Sequence, residues 1–163
     1  MSASPARSLP ARTLTRTPDE LRELAAVVAD QLRAGDLVIL RGPLGAGKTT
    51  FAQGVGAALG VVERLTSPTF VIARAHRGRL PVIHVDAYRL GSIDELDDLD
   101  LDADLDEAVT LVEWGSGLAE ALSDDGYLLV DIDRESVEPQ QRLVTIEGYG
   151  ERWAGVVEEG EPA

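Results

Sequence analysis

A short apolar run from Asp36 to Arg41 leads into Gly42-Pro43-Leu44-Gly45-Ala46-Gly47-Lys48-Thr49. A helix-like stretch then extends from Lys48 to about Leu59 and closes near Gly60. Few folds accommodate a strand, a glycine-rich loop and a helix in that order. Glycines let successive backbone N–H groups turn inward around an anion, and the start of the helix adds partial positive charge. The spacing G-x-x-x-x-G-K-[ST] of a phosphate-binding P-loop is filled by Gly42, Gly47, Lys48 and Thr49, with Gly45 and Ala46 between them. At average usage those four positions coincide by chance in roughly one chain of this length in a few hundred. The flanking strand and helix therefore turn the pattern into a physical expectation. In such a loop Lys48 reaches the β and γ phosphates, serving both binding and catalysis, and the Thr49 hydroxyl ligates magnesium. The expected ligands are ATP and Mg2+.

The remaining pattern places this loop in an α/β sheet. Thr17-Pro18-Asp19-Glu20 reads as a capping box that opens a helix to about Arg33, with Leu21, Leu24, Val28 and Leu32 as its apolar stripe. Thr69 to Ala75 and Leu80 to Asp86 flank a short glycine-containing turn and predict a β-hairpin. Val109 to Trp114, Tyr127 to Ile132 and Arg142 to Glu147 predict three more strands, with a helix from about Gly115 to Leu122 between the first two. Ser92-Ile93-Asp94-Glu95 is a second capping box. The expected architecture is a P-loop NTPase-like three-layer domain over residues 17–150, its mixed sheet parallel in the core and antiparallel at the edges. Residues 1–16 are acid-poor, with Arg7, Arg12 and Arg16, and predict a disordered leader rather than a transit peptide, because they lack an amphipathic face. Residues 151–163 are expected to be a tail.

Composition narrows the partners. Asp and Glu outnumber Lys and Arg by 29 to 15, a formal net charge of −14. A chain that neutralised nucleic-acid phosphates by itself would need a basic surface within that negative field, so autonomous RNA binding is not expected. The chain has no cysteine, which excludes disulfides, thiolate nucleophiles and thiolate metal sites. No apolar run approaches the roughly 20 residues of a membrane helix, and the expected location is the cytoplasm.

A P-loop needs a second magnesium contact and an acid to orient the attacking water. Three strands end in candidates: Asp86, Glu113, and Asp131 with Asp133. Spacing alone does not rank them. His84 reads as a hydrogen-bonded strand residue and His76 as an exposed turn residue. Thr66-Ser67-Pro68-Thr69-Phe70 reads either as an ordinary turn or as a switch loop whose hydroxyls sense the γ-phosphate. The acid-rich segment 94–107 has no glycine where a calcium loop needs one, so its interleaved leucines read as a short surface helix.

Four motifs then occur in one order: Gly42 to Thr50, Ser67-Pro68-Thr69-Phe70, His84-Val85-Asp86-Ala87-Tyr88-Arg89-Leu90 and Leu111-Val112-Glu113-Trp114. In this the chain resembles the TsaE family, also called YjeE, over about Thr17 to Gly150. The resemblance implies that the backbone from Gly42 to Thr50 binds the triphosphate and that Thr49 holds magnesium. It implies a place near the metal for Asp86, and places Glu113 at the metal and the catalytic water. Trp114 would pack beside the nucleotide, Thr17 near the adenine, Arg142 at the family's C-terminal arginine position, and Ser67 and Thr69 in a switch-like loop. Two departures stand out: Pro43 follows Gly42 where the family commonly has Asp, and Gly115-Ser116 follows Trp114.

The family further implies an ATPase, weak alone, that serves the tRNA N6-threonylcarbamoyladenosine machinery beside a TsaB–TsaD pair. Such a subunit reaches tRNA only through its partners and needs no membrane. The alternatives are a P-loop small-molecule kinase and a nucleotide-gated binding module. The kinase reading lacks support between Gly91 and Val109, where acids stand in place of an arginine-bearing lid.

Overall fold

The computed structural model describes residues 9–42, 47–61, 73–76, 80–86, 108–113, 126–133 and 141–157. Leu37-Val38-Ile39-Leu40 is apolar at every position, the signature of a strand covered on both faces. All four are buried in β2 (Leu37–Arg41). β2 pairs in parallel with β5 (Val109–Glu113), Leu40 opposite Glu113. On its other side it pairs in parallel with β6 (Tyr127–Asp133), Arg41 opposite Asp131. β4 (Val82–Asp86) joins β5 in parallel, and β3 (Ala73–His76) runs antiparallel to β4, as the hairpin pattern predicts. Beyond β6, β7 (Arg142–Tyr149) is antiparallel, and β1 (Arg12–Thr15) closes that edge against β7. The order is β1-β7-β6-β2-β5-β4-β3, with a parallel core and antiparallel edges as expected.

Two helices pack together against the sheet. α1 (Pro18–Ala29) buries Leu21, Leu24, Ala25 and Val28, and α2 (Lys48–Ala58) buries Phe51, Ala52 and Val55. These share one core with Val38, Leu40, Leu111, Leu128, Val130 and Ile146 from the strands. Ile39 and Val112, facing the other way, are equally buried, so the central strands form a middle layer. α1 stops at Ala29, short of the expected Arg33. At Gln31 and Leu32 the hydrogen bonds run three residues back, to Val28 and Ala29, instead of four. The apolar stripe thus reaches Leu32, which is buried, although the α-helix has ended.

Both expected domain boundaries move. The leader expectation fails from Leu9 onward: residues 12–15 form β1, and Leu9 is buried and bridges to Val157. An edge strand reading Arg-Thr-Leu-Thr has too few apolar positions to signal itself, and β7's unpaired side supplies the reason for it to order. Residues 151–157, placed in the expected tail, are packed as well. A 3₁₀ turn, Glu151–Trp153, buries Trp153 in the core. Arg152 lies 4.1 Å over the Trp153 ring and holds buried Asp36 with two bonds of 2.8 Å, from Nε to Oδ1 and from a terminal nitrogen to Oδ2. Asp36 Oδ2 also accepts the Arg33 N–H at 2.7 Å. The C-terminal turn is therefore fastened to the loop that launches β2.

The approach of the two helices depends on Gly54. A Cβ there would lie 2.7 Å from the Ala25 Cβ and 2.9 Å from both the Cα and the carbonyl oxygen of Arg22. Alanine gains up to about 1 kcal/mol of helix propensity over glycine. Against backbone atoms that cannot swing aside, overpacking costs about 1–3 kcal/mol, and it should win. Gly54→Ala is expected to lower stability by about 1–2 kcal/mol, read from the midpoint of urea unfolding.

Candidate functional site

The two helices begin differently. Thr17 caps α1, its hydroxyl accepting the Glu20 N–H at 3.2 Å, with Pro18 in the first turn. Glu20 reaches back to the Arg16 N–H at 3.2 Å, one residue earlier than a capping box requires. α2 is capped by Gly47, at φ 113° and ψ 16°, which brings no side-chain oxygen to the first turn. That left-handed backbone is open to glycine at little cost. A Cβ on Gly47 would also stand 2.8 Å from Leu21 Cδ2, so the first turns of α1 and α2 meet at this residue. A helix start capped this way suits an anion.

Lys48 follows. Only 5% of it is exposed, and Nζ donates to the Gly42 carbonyl at 2.7 Å, tying the two ends of the glycine loop together. A buried ammonium is tolerated only where oxygen atoms surround it. Its place at a helix start adds a full charge to the partial charges of the backbone.

β5 delivers Glu113 to the same place, because its pairing with β2 sets Glu113 beside Leu40, two residues before the loop begins. Glu113 is 4% exposed. One carboxylate oxygen, Oε1, lies 3.4 Å from the Thr49 hydroxyl, and the other, Oε2, is 2.6 Å from Nε2 of His84. Two hard oxygens that close can serve one small divalent cation, with phosphate oxygens or water completing the shell. Asp86 is set beside Glu113 by backbone register across β4 and β5.

The strand-end acids therefore separate. Glu113 is buried against α2, whereas Asp131 is bound to Arg41, both Nε (3.1 Å) and a terminal nitrogen (2.8 Å) donating to the same Asp131 oxygen. The hydrogen bond to Asp131 holds the Arg41 guanidinium above its ordinary range, with burial acting the other way. Arg142 opens β7 opposite Thr15, and Leu143 lies opposite Asp133. Thr15, Arg142, Asp133, Arg41, Glu113 and Asp86 thus mark one edge of the sheet, where the parallel strands end. Such an edge is where open α/β sheets bind ligands. Thr17 sits just beyond β1 at the same edge.

His84 is the hydrogen-bonded strand residue that the sequence suggests, but the sequence did not reveal its partner. Its polarity in an apolar strand gave a signal, and so did its place two residues before Asp86, but its partner lies 29 positions away. Gly45, Ala46, Ser67, Thr69 and Trp114 lie outside the described residues, as do the segment 94–107 and the helix expected after Gly115. No helix among the described residues is long and apolar enough to cross a membrane.

Comparison with known proteins agrees with the motif order. A family profile described as "Threonylcarbamoyl adenosine biosynthesis protein TsaE" matches residues 15–144. A Streptomyces coelicolor protein named tRNA threonylcarbamoyladenosine biosynthesis protein TsaE is 53% identical over 140 residues, covering 82% of this chain and 94% of that one. The Bacillus subtilis protein of the same name is 37% identical over 147 residues, covering 89% and 90%. The crystal structure of Bacillus subtilis YdiB superposes with a TM-score of 0.68 at 32% identity, covering 89% of each chain.

The Arg41–Asp131 pair is open to water, with 47% and 34% of the two side chains exposed. Exposed pairs contribute about 0–1 kcal/mol. Asp131→Asn is accordingly expected to shift stability by less than about 1 kcal/mol, checked by chemical denaturation at low and at high salt.

Proposed function

The chain belongs to the TsaE family, and on that premise we propose that it is the ATP-binding and ATP-hydrolysing subunit of the machinery that makes N6-threonylcarbamoyladenosine at position 37 of tRNA. One observation carries the reading: a buried lysine closing a glycine loop at a helix start, with a buried glutamate held against the helix's Thr49. The donors fit the ligands. Backbone N–H groups and Lys48 suit a triphosphate, and the Thr49 hydroxyl with the Glu113 carboxylate suits magnesium, which prefers oxygen.

In this reading Lys48 holds the β and γ phosphates, and the loop backbone from Gly42 to Thr50, Gly45, Ala46 and Gly47 included, cradles them. Thr49, Asp86 and Glu113 are the residues that would hold magnesium, which when bound neutralises phosphate charge. Glu113 orients the attacking water and takes its proton. Thr17, Trp114 and Arg142 would border the base and ribose, and Ser67 and Thr69 would respond to the γ-phosphate.

The chain would act in the cytoplasm on a TsaB–TsaD pair and meet tRNA only through it, leaving the transfer to adenosine to TsaD. The net charge of −14 supports this division, because tRNA would be held by the partners. Residues 91–109 contain no arginine, so the sequence offers no lid of the kind that small-molecule kinases close over phosphates.

Binding and turnover should separate by variant. Lys48→Ala is expected to abolish calorimetric binding of ATP–magnesium while the fold persists. Glu113→Gln should still bind, with single-turnover hydrolysis slowed about 100- to 10,000-fold, the usual range for a lost general base. Unchanged affinity in Lys48→Ala would remove the phosphate-loop assignment.

Phosphate release should be slow for the chain alone and should rise when its cognate TsaB–TsaD pair is added, since no arginine finger is evident in the sequence. Equal rates with and without the pair would favour a self-sufficient enzyme.

A further inference from the structure

His84 lies in the middle of a strand and is fully buried. Its neighbours Val82 and Ile83 are buried apolar residues. Leucine would fill such a position without a polar atom to satisfy. Histidine brings two ring nitrogens, and among the described residues Nδ1 has no hydrogen-bond partner. An unpaired buried polar atom costs roughly 1–3 kcal/mol. The stabilising return is a single contact, Nε2 to Glu113 Oε2 at 2.6 Å. Replacing buried polar pairs by apolar residues is often neutral or stabilising, so this pair is a poor device for stability alone.

What the contact does accomplish is orientation. A glutamate at a strand end has three side-chain torsions to fix. With Oε2 held from β4, the carboxylate cannot rotate freely, and Oε1 is left 3.4 Å from the Thr49 hydroxyl on α2. A carboxylate oxygen accepts, so the Nε2 side of the ring is assigned as the donor to Glu113. Register explains why histidine can reach: β4 and β5 are parallel, and His84 stands opposite Leu111, two residues before Glu113. The imidazole spans that offset.

We propose that His84 is a positioning residue that donates from Nε2 to Glu113 and locks the carboxylate with Oε1 turned toward Thr49. The proposal rests on the ATP-hydrolysing reading above for its consequence, while the contact itself is independent of it. Losing such an outer partner typically costs about 10- to 100-fold in activity or metal affinity.

The test uses the full chain with His84→Leu and His84→Gln, the glutamine keeping an N–H donor close to the place of Nε2. Nitrogen-15 spectra of the imidazole in the nucleotide-free protein should show a protonated Nε2 whose proton is shifted downfield, a shift lost in Glu113→Ala. ATP affinity without magnesium should stay within about threefold in both His84 variants, because the loop and Lys48 are untouched. Single-turnover hydrolysis with magnesium should fall about 10- to 100-fold in His84→Leu and recover in His84→Gln. Parent-like hydrolysis in His84→Leu would overturn the proposal. So would an Nε2 without its proton, or equal losses in both variants with melting curves unchanged. Should His84→Leu fail to fold, the imidazole spectrum and His84→Gln still decide. A parent chain that binds ATP without hydrolysing it removes the functional reading alone, since the spectrum still reports whether His84 holds Glu113.

Discussion

β2 bonds in parallel to β5 on one side and β6 on the other, and this pair of ladders places everything else. In a parallel sheet all carboxyl ends fall on the same edge. β2 therefore ends, at Arg41, between the ends of β5 and β6, and β4 adds Asp86 to the same edge. A shift of β5 by one residue would turn Glu113 to the opposite face of the sheet, because side chains alternate. The four buried apolar residues of β2, packed from both faces, are what hold that register.

Burying ionisable groups at this edge is costly, and the arrangement shows how the cost is offset. The Lys48 ammonium is matched by the Gly42 carbonyl, and the Glu113 carboxylate by His84 and Thr49. Removing His84 would leave the Glu113 carboxylate buried with less compensation, which costs more than the intact contact contributes. By contrast Arg41 and Asp131, one strand across, remain in contact with water and can be separated cheaply. Acids equivalent in sequence thus have different surroundings because one faces α2 and another faces solvent.

The helices contribute through closeness more than through their ends. Gly54 lets α2 approach the backbone of α1, and Gly47 lets Leu21 touch the point where the loop becomes a helix. A residue of α1 therefore bears directly on the glycine from which α2 starts. The C-terminal turn braces the far side: Arg152, stacked on Trp153, grips Asp36 at the entry to β2. Leu9 and Val157 bridge to each other and belong to the same packed unit.

Local chemistry made much of this legible in the sequence. The glycine spacing, the apolar run of β2, the cap of α1 and the hairpin rest on residues near each other in the chain, so their physics can be read directly. The motif order was local as well, and it pointed to the family. What the sequence could not supply depended on contacts between distant residues. β1 orders because β7 offers it an open edge, and Trp153 is buried because Arg152 finds Asp36. The acids at the ends of three strands were equivalent on paper, since spacing carries no information about which neighbour each will meet. His84 and Glu113 are 29 positions apart, and only the parallel register of β4 and β5 brings their side chains within 2.6 Å. That separation is decided by tertiary structure because hydrogen bonding is short-ranged, and no periodicity along one strand records which residue lies across from it.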